Sequence, residues 1–171
     1  MSRLRAIIEA LRGRETVKQY PYTSLEAPEG FRGPPVFDQS KCIGCGACVR
    51  ACPANAISLT YRKDDRVYLL EHYIGRCIFC ALCADVCPAN AISMSREYEL
   101  ATDNLLDLYQ HVWHEPTTCL ECGEAFTTRK IIERVHFTIP TDYVFTCPRC
   151  RAERVALVMA KSRRGGLIGQ A

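Results

Sequence analysis

The sequence predicts a small α+β protein built from one cysteine-rich unit used twice, followed by a separate module of cysteine knuckles. Three observations predict this. Residues 41–58 read "KCIGCGACVRACPANAIS" and residues 76–93 read "RCIFCALCADVCPANAIS", so each cysteine of the first copy recurs 35 positions later. Four of the 12 cysteines lie outside the repeat, in two C-x2-C pairs near the C-terminus. Hydrophobic residues make up 48% of the 171, enough for a packed core, yet no run approaches the ~20 apolar residues that span a bilayer. The net charge of +3 is too mild to argue for a nucleic-acid partner.

The chain opens with "MSRLRAIIEALRGRETVKQY". Leu4, Ile7, Ile8 and Leu11 fall at i, i+3, i+4 and i+7, the apolar stripe of a helix, with Arg3, Arg5, Arg12 and Arg14 around it. Charges run throughout and there is no apolar h-region with a small-residue cleavage site, which argues against secretion. A protein kept from an oxidising compartment cannot depend on disulfides, so its cysteines point to metals or catalysis. The basic amphipathic segment suits an anionic membrane surface or a partner's groove, the alternative being a helix packed on its own domain. "YPYTSLEAPEGFRGPP" follows, a proline- and glycine-rich stretch expected to run extended over another surface. Residues 1–34 are therefore assigned to docking.

Residues 35–98 carry the repeat. Cys42, Cys45, Cys48 and Cys52 in the first copy, and Cys77, Cys80, Cys83 and Cys87 in the second, follow the pattern C-x2-C-x2-C-x3-C-P. This is the run that holds [4Fe–4S] clusters in bacterial two-cluster ferredoxins. Two-residue gaps let one turning loop aim three thiolates at one cluster. Gly44 and Gly46 permit positive φ and close backbone approach. Pro53 and Pro88 turn the preceding cysteine away from the helical region, so a short helix should end there and send the fourth thiolate off its own loop. That predicts crossed ligation: Cys42, Cys45, Cys48 and Cys87 on cluster A, with Cys77, Cys80, Cys83 and Cys52 on cluster B. Zinc is the poorer reading of this pattern, since its sites favour separated pairs over three cysteines in seven residues. Ala54, Ala56 and Ile57, with Ala89, Ala91 and Ile92, are expected to pack over the clusters. Between the copies, apolar residues flank "RKDD", predicting a hairpin with its turn near Lys63–Asp65. His72 reads as a packing or surface residue because every cluster corner is already filled.

Residues 99–160 form the second module. "TDNLLDLYQHVW" predicts a helix capped by Thr102 or Asp103, with Trp113 packing between modules. Cys119 and Cys122 pair with Cys147 and Cys150 as two knuckles of a tetrahedral S4 site. "TRKIIERVH" between them predicts a helix and "DYVFTC" a strand. The geometry suits structural zinc or a single rubredoxin-type iron, zinc being the commoner occupant. His111, His114 and His136 are not needed as ligands. Residues 161–171 are expected to form a mobile tail. No cysteine is left over as a nucleophile, and no catalytic triad, nucleotide loop or carboxylate pair stands out, so the chain reads as an electron carrier rather than a catalyst in itself.

"TVKQYPYTSLEAPEGFRGPPVFDQSKCIGCGACVRACPANAIS" and "YIGRCIFCALCADVCPANAIS" resemble the two-cluster iron–sulfur subunits of formate hydrogenlyase and hydrogenase-4, which are similar in turn to the 8Fe ferredoxin-like subunit of complex I. The resemblance runs closely over residues 15–100 and continues through "YELATDNLLDLY" to the last cysteine pairs, a feature of the formate hydrogenlyase type. It implies a 2[4Fe–4S] ferredoxin-like domain with a zinc-ribbon or rubredoxin-like knuckle. It also implies electron relay between another ferredoxin-like input subunit and the large and small subunits of a [NiFe]-hydrogenase. The implied place is peripheral, on a membrane-arm subunit at the cytoplasmic face of the inner membrane. A complex I-type quinone oxidoreductase subunit is the nearest alternative. A nucleic-acid or scaffold module would need a basic stripe with aromatics, whereas Arg129, Lys130, Arg134, Arg149, Arg151 and Arg154 are scattered among acids.

Overall fold

Because the repeat is a duplication, the two halves are expected to pack as mates, and their strands interlock accordingly. The computed structural model describes residues 4, 7, 8, 11 and 26–165, which fall into two compact units, Met1–Phe31 and Arg32–Ala171. In the second unit, β1 (Pro35–Phe37) enters the first cysteine loop, α1 (Ala47–Ala51) follows its third cysteine, and β2 (Ile57–Arg62) leaves it. Then β3 (Val67–Tyr73) enters the second loop, α2 (Leu82–Asp85) follows, and β4 (Ile92–Met94) leaves it. The strand entering one copy pairs antiparallel with the strand leaving the other: Val36↔Ser93 joins β1 to β4, and Leu59↔Leu70 joins β2 to β3. Phe37 and His72, which stand 35 residues apart, meet between the halves with ring centroids 5.4 Å apart. Neither half closes a sheet alone, so stability comes from the pair.

The hairpin predicted around "RKDD" is present, with residues 63–66 forming the turn and Arg66 at φ +52. Its buried Ile57 and Leu70 pack with Ala91, Val112, Cys42, Cys48 and Cys83 in the core. Ala56 and Ala91 are buried at equivalent places of the two copies, as the packing role of "ANAIS" requires.

Two elements differ from the sequence-based expectation. Residues 102–113 do not form one helix. A single 3-10 turn (Leu105–Leu108) is capped by Asn104, whose side chain accepts from the Leu106 amide, and β5 (Tyr109–His114) follows. The alternation explains it: Val112 and His114 are buried while His111 and Trp113 face outward, a period of two that β3 captures by pairing Leu70 with Val112. Trp113 accordingly lies half-exposed on the edge strand of the sheet, lining a cavity with Gln39 and Val67 of the cluster domain and Arg129 and Lys130 of the last module. "DYVFTC" is not a strand: α4 (Thr141–Val144) starts after Pro140, and the Thr146 hydroxyl donates back to the Asp142 carbonyl at 2.6 Å.

The rest of the second module is a hairpin of β6 (Pro116–Thr118) and β7 (Ala125–Thr128), then the predicted helix α3 (Arg129–Val135), α4, and α5 (Pro148–Gly165). The presumed tail from residue 161 continues α5 as far as Gly165, and 166–171 lie outside the described residues. At the other end, Leu4, Ile7, Ile8 and Leu11 are helical and exposed; the remainder of the predicted N-terminal segment through residue 25 lies outside the described residues. Among the described residues no helix is long and apolar enough to cross a membrane.

Candidate iron–sulfur and metal sites

Each cysteine loop needs left-handed backbone at two points to wrap its amides around a centre. Gly44 and Gly46 supply φ +69 and +71 in the first copy. In the second copy Phe79 and Ala81 adopt φ +54 and +68 at the equivalent positions, so this loop geometry is imposed even where glycine is absent. Asn55 and Asn90 repeat the symmetry at φ +49 and +47. α1 and α2 both end by the fourth cysteine. Cys52 is extended at φ −75, ψ 109, ahead of Pro53, as the residue before proline must be. The amides of Ala56 and Ala91 donate to Cys52 Sγ and Cys87 Sγ, each at 3.3 Å.

One cavity is lined by Cys52, Cys77, Cys80 and Cys83, with Ile57, His72 and Phe79 beside them. The fourth cysteine of copy one thus shares a space with the first three of copy two. Burial pushes the Cys83 thiol up to about 11 and the Cys48 thiol up to about 12. Burial likewise raises Cys42, with Cys87 and Cys45 adding to the rise, and raises Cys77, with Cys52 and Cys80 adding. Thiols so disposed ionise only against a strong cationic charge, which iron supplies by coordination. His72 and His114 strengthen the fit. Both are buried, and among the described residues no ring nitrogen of either has a hydrogen-bond partner. His72 lines the cavity just described, and the His114 ring lies over Gly44. Donors left orphaned beside cysteine loops match a sulfur-rich group that accepts hydrogen bonds. His72 is fully buried rather than on the surface, and burial holds its pKa down to about 4, so the ring is neutral. The inward position of His72 follows from alternation along β3, whereas that of His114 is readable only once β5 is recognised as a strand.

The last four cysteines converge. The sulfurs of Cys119, Cys122, Cys147 and Cys150 all lie within 4.8 Å of one another, and Cys122 Sγ is 3.7 Å from Cys147 Sγ. Tetrahedral thiolates at a Zn–S distance of about 2.3 Å would stand about 3.8 Å apart. The first knuckle turns at Gly123, φ +70, whose amide donates to the Cys119 carbonyl at 3.0 Å. The second opens α5, and the Cys147 amide donates to Cys119 Sγ at 3.2 Å. The Cys122 amide leads the interactions that pull Cys119 down to about 6, while hydrogen bonding to Cys147 leads those that raise Cys150. Four facing thiols divided in this way are a donor set for one cation.

Comparison with known proteins places the chain in a family. Residues 41–91 and 76–128 match the 4Fe-4S dicluster domain family. Formate hydrogenlyase subunit 6 of Escherichia coli (strain K12) is 36% identical over 145 residues, covering 79% of this chain and 81% of that protein. NAD(P)H-quinone oxidoreductase subunit I of Trichodesmium erythraeum (strain IMS101) is 48% identical over 93 residues, of whose length the chain spans 44%. A chain in the structure of an archaeal membrane-bound sulfane sulfur reductase, a respiratory membrane complex, is 28% identical, with a TM-score of 0.43 over 61% of this chain and 56% of that one. The chain belongs to the 4Fe-4S dicluster family, as a homologue of formate hydrogenlyase subunit 6 that is also related to subunit I of the quinone oxidoreductases.

Proposed function

We propose that the chain relays electrons through two [4Fe–4S] clusters within a membrane-bound hydrogenase complex of the formate hydrogenlyase or hydrogenase-4 type. The observation that carries this reading is the extent of the similarity: 145 residues align with formate hydrogenlyase subunit 6, against 93 to 104 with quinone oxidoreductase subunits I. A match of 79% of this chain cannot stay within the 64 residues of the ferredoxin-like domain, so it takes in part of the flanking modules. Cys42, Cys45, Cys48 and Cys87 hold cluster A in this reading, and Cys77, Cys80, Cys83 and Cys52 hold cluster B. The shared cavity of Cys52 with the second loop supports that assignment. When bound, the clusters supply one-electron redox chemistry. The chain's own part is to aim thiolates and amides at them, to exclude water with Ala56, Ile57 and Ala91, and to hold them in fixed relation. Cys119, Cys122, Cys147 and Cys150 hold one zinc, or one iron, as a closed structural site. Residues 1–34 dock, 35–98 carry the clusters, and 99–160 carry the knuckles.

The partners in this reading are a [NiFe]-hydrogenase module, a ferredoxin-like input subunit and a membrane-arm subunit, at the cytoplasmic face of the inner membrane. The basic residues of the last module do not favour nucleic acid, since Arg129, Arg149 and Arg154 are each engaged with acids of the same module. The higher local identity to the quinone oxidoreductase subunit favours a second reading, a complex I-type relay. Purification of the native complex separates the two. We expect hydrogenase subunits as neighbours, with about eight irons in two reducible clusters and one further zinc or iron per chain. Copurification with a quinone-reducing module would favour the second reading, and a chain without iron would overturn both.

The N-terminal stripe tests the docking role. Leu4 and Leu11 are 70% and 82% exposed, and four such side chains exposed together call for a covering surface. Serine at Leu4, Ile7, Ile8 and Leu11 is expected to leave both clusters reducible while releasing the subunit from washed membranes. Full retention with full coupled activity would count against docking.

A further inference from the structure

We propose that Thr128 and Lys130, at the start of α3, are positioning residues for cluster A, holding its loop and setting its reduction potential apart from that of cluster B. The proposal rests on the two-cluster reading. The Lys130 ammonium donates to the carbonyls of Gln39, Ser40 and Cys42 at 2.8, 3.1 and 3.1 Å, using all three of its donors on the chain that leads into the first cysteine. Thr128 occupies the N-cap of α3 but makes no capping bond; its hydroxyl donates instead to the Ile43 carbonyl at 2.6 Å, between Cys42 and Gly44. A cap bond stabilises a helix, so its diversion across to the loop marks what that side chain stabilises. Gln39 completes the attachment, donating to the Trp113 carbonyl at 2.6 Å and accepting from the Trp113 amide at 3.1 Å.

The duplication supplies an internal control. A Cβ on Gly44 would lie 2.6 Å from Thr128 Cγ2 and 3.0 Å from the His114 ring. The equivalent residue of the second loop is Phe79, at nearly the same backbone angle, so positive φ alone does not demand glycine here. The cover laid over Gly44 by Thr128 and His114 does. Ile78, equivalent to Ile43, is 64% exposed, so the second loop lacks that cover. The two copies, alike in sequence, sit in different electrostatic surroundings. Lys130 is half-buried against the first loop, its ammonium 3.1 Å from the Cys42 carbonyl, so a fixed positive charge stands beside that loop. Glu115 and Glu133 stand nearby but are exposed and engaged with Arg129, where solvent screens them. A fixed cation beside a cluster stabilises its reduced, more negative state and therefore raises its potential.

The test is redox titration of the full chain by electron paramagnetic resonance, with Cys45→Ser and Cys80→Ser variants marking which signal belongs to which loop. Lys130→Met is expected to move the potential of the Cys45-marked cluster downward and leave the other in place, and Lys130→Arg to restore it. Thr128→Val, nearly the same in shape, is expected to alter the line shape of the same cluster only. Unchanged potentials in Lys130→Met, or equal shifts of both clusters, would overturn the proposal while leaving the two-cluster reading intact. If Lys130→Met fails to fold, an unaltered signal in Thr128→Val overturns it equally. Absence of two reducible clusters in the unaltered chain would overturn both.

Discussion

Replacing Cys52 with alanine is expected to destroy the cluster held by Cys77, Cys80 and Cys83 and to spare the one in its own loop. The expectation follows from where the chain goes after α1. Pro53 forces Cys52 out of the helical region, and the residue takes extended angles that turn its thiol from the first loop to the cavity of the second. The Ala56 amide fixes that sulfur from behind. Cys52 is among the charges that raise the Cys77 thiol, and Cys87 stands in the same relation to Cys42, so each fourth cysteine is electrostatically coupled to the other copy. The interlocked strands supply the reason: with β1 paired to β4 and β2 to β3, each copy's exit lies beside the other copy's loop. Iron content should fall from about eight atoms to about four, with the Cys42-loop signal retained. Loss of the Cys42-loop signal instead would show that each copy ligates its own cluster. Cys87→Ala should give the mirror result.

The parts legible in the sequence are those fixed by local rules. Cysteine spacing, the proline after each fourth cysteine, the hairpin at Lys63–Arg66 and helix α3 all depend on neighbours within a few residues, and the structure reproduces them. Residues 109–114 are ambiguous in the sequence because Leu105, Leu106 and Leu108 continue into "YQHVWH" with a pattern that fits either period. Pairing with β3, some 40 residues earlier in sequence, decided for the strand. The stretch 141–146 differs from its sequence expectation for a related reason: Tyr143, Val144 and Phe145 have strand propensity, but Pro140 presets a helical turn that the Thr146 hydroxyl closes. The attachment of Thr128 and Lys130 to residues 39–43 had no local signal, since it joins segments 85 to 91 residues apart. Gly44 hinted at it, because its repeat mate is Phe79. A glycine present in one copy and absent from the other, at the same backbone angle, marks a position where something packs on one copy alone.

Serine at Cys119 is expected to release the metal of the last site and loosen residues 115–155, yet leave both clusters assembled. Cys119 is the buried pivot of that module. It is 3% exposed, its sulfur accepts from the Cys147 amide, and its own amide donates to the Glu124 carbonyl at 2.9 Å. The Leu120 amide bonds the Phe145 carbonyl at 3.0 Å, so the two knuckles are tied across the site. Among the described residues only Phe126 adds non-cysteine apolar packing to that cluster, a small core for the knuckles. A metal bound by the four cysteines would therefore organise the module. Structural zinc in comparable small sites contributes an apparent ~10–16 kcal/mol, and loss of one of four thiolates removes a large share of it. Hydrogen exchange should quicken across 115–155, and the zinc, or the single iron, should fall to a trace. Cluster B should be unmoved. Cluster A should keep its iron but shift in potential, because Thr128 and Lys130 are carried on the loosened module and their hold on residues 39–43 would weaken with it. If the substitution abolished electron transfer while hydrogen exchange and assembly stayed normal, the site would be part of the electron path. Four thiolates leave no coordination position open to substrate or water, which makes support of the cluster A loop the more direct way for this module to influence electron flow.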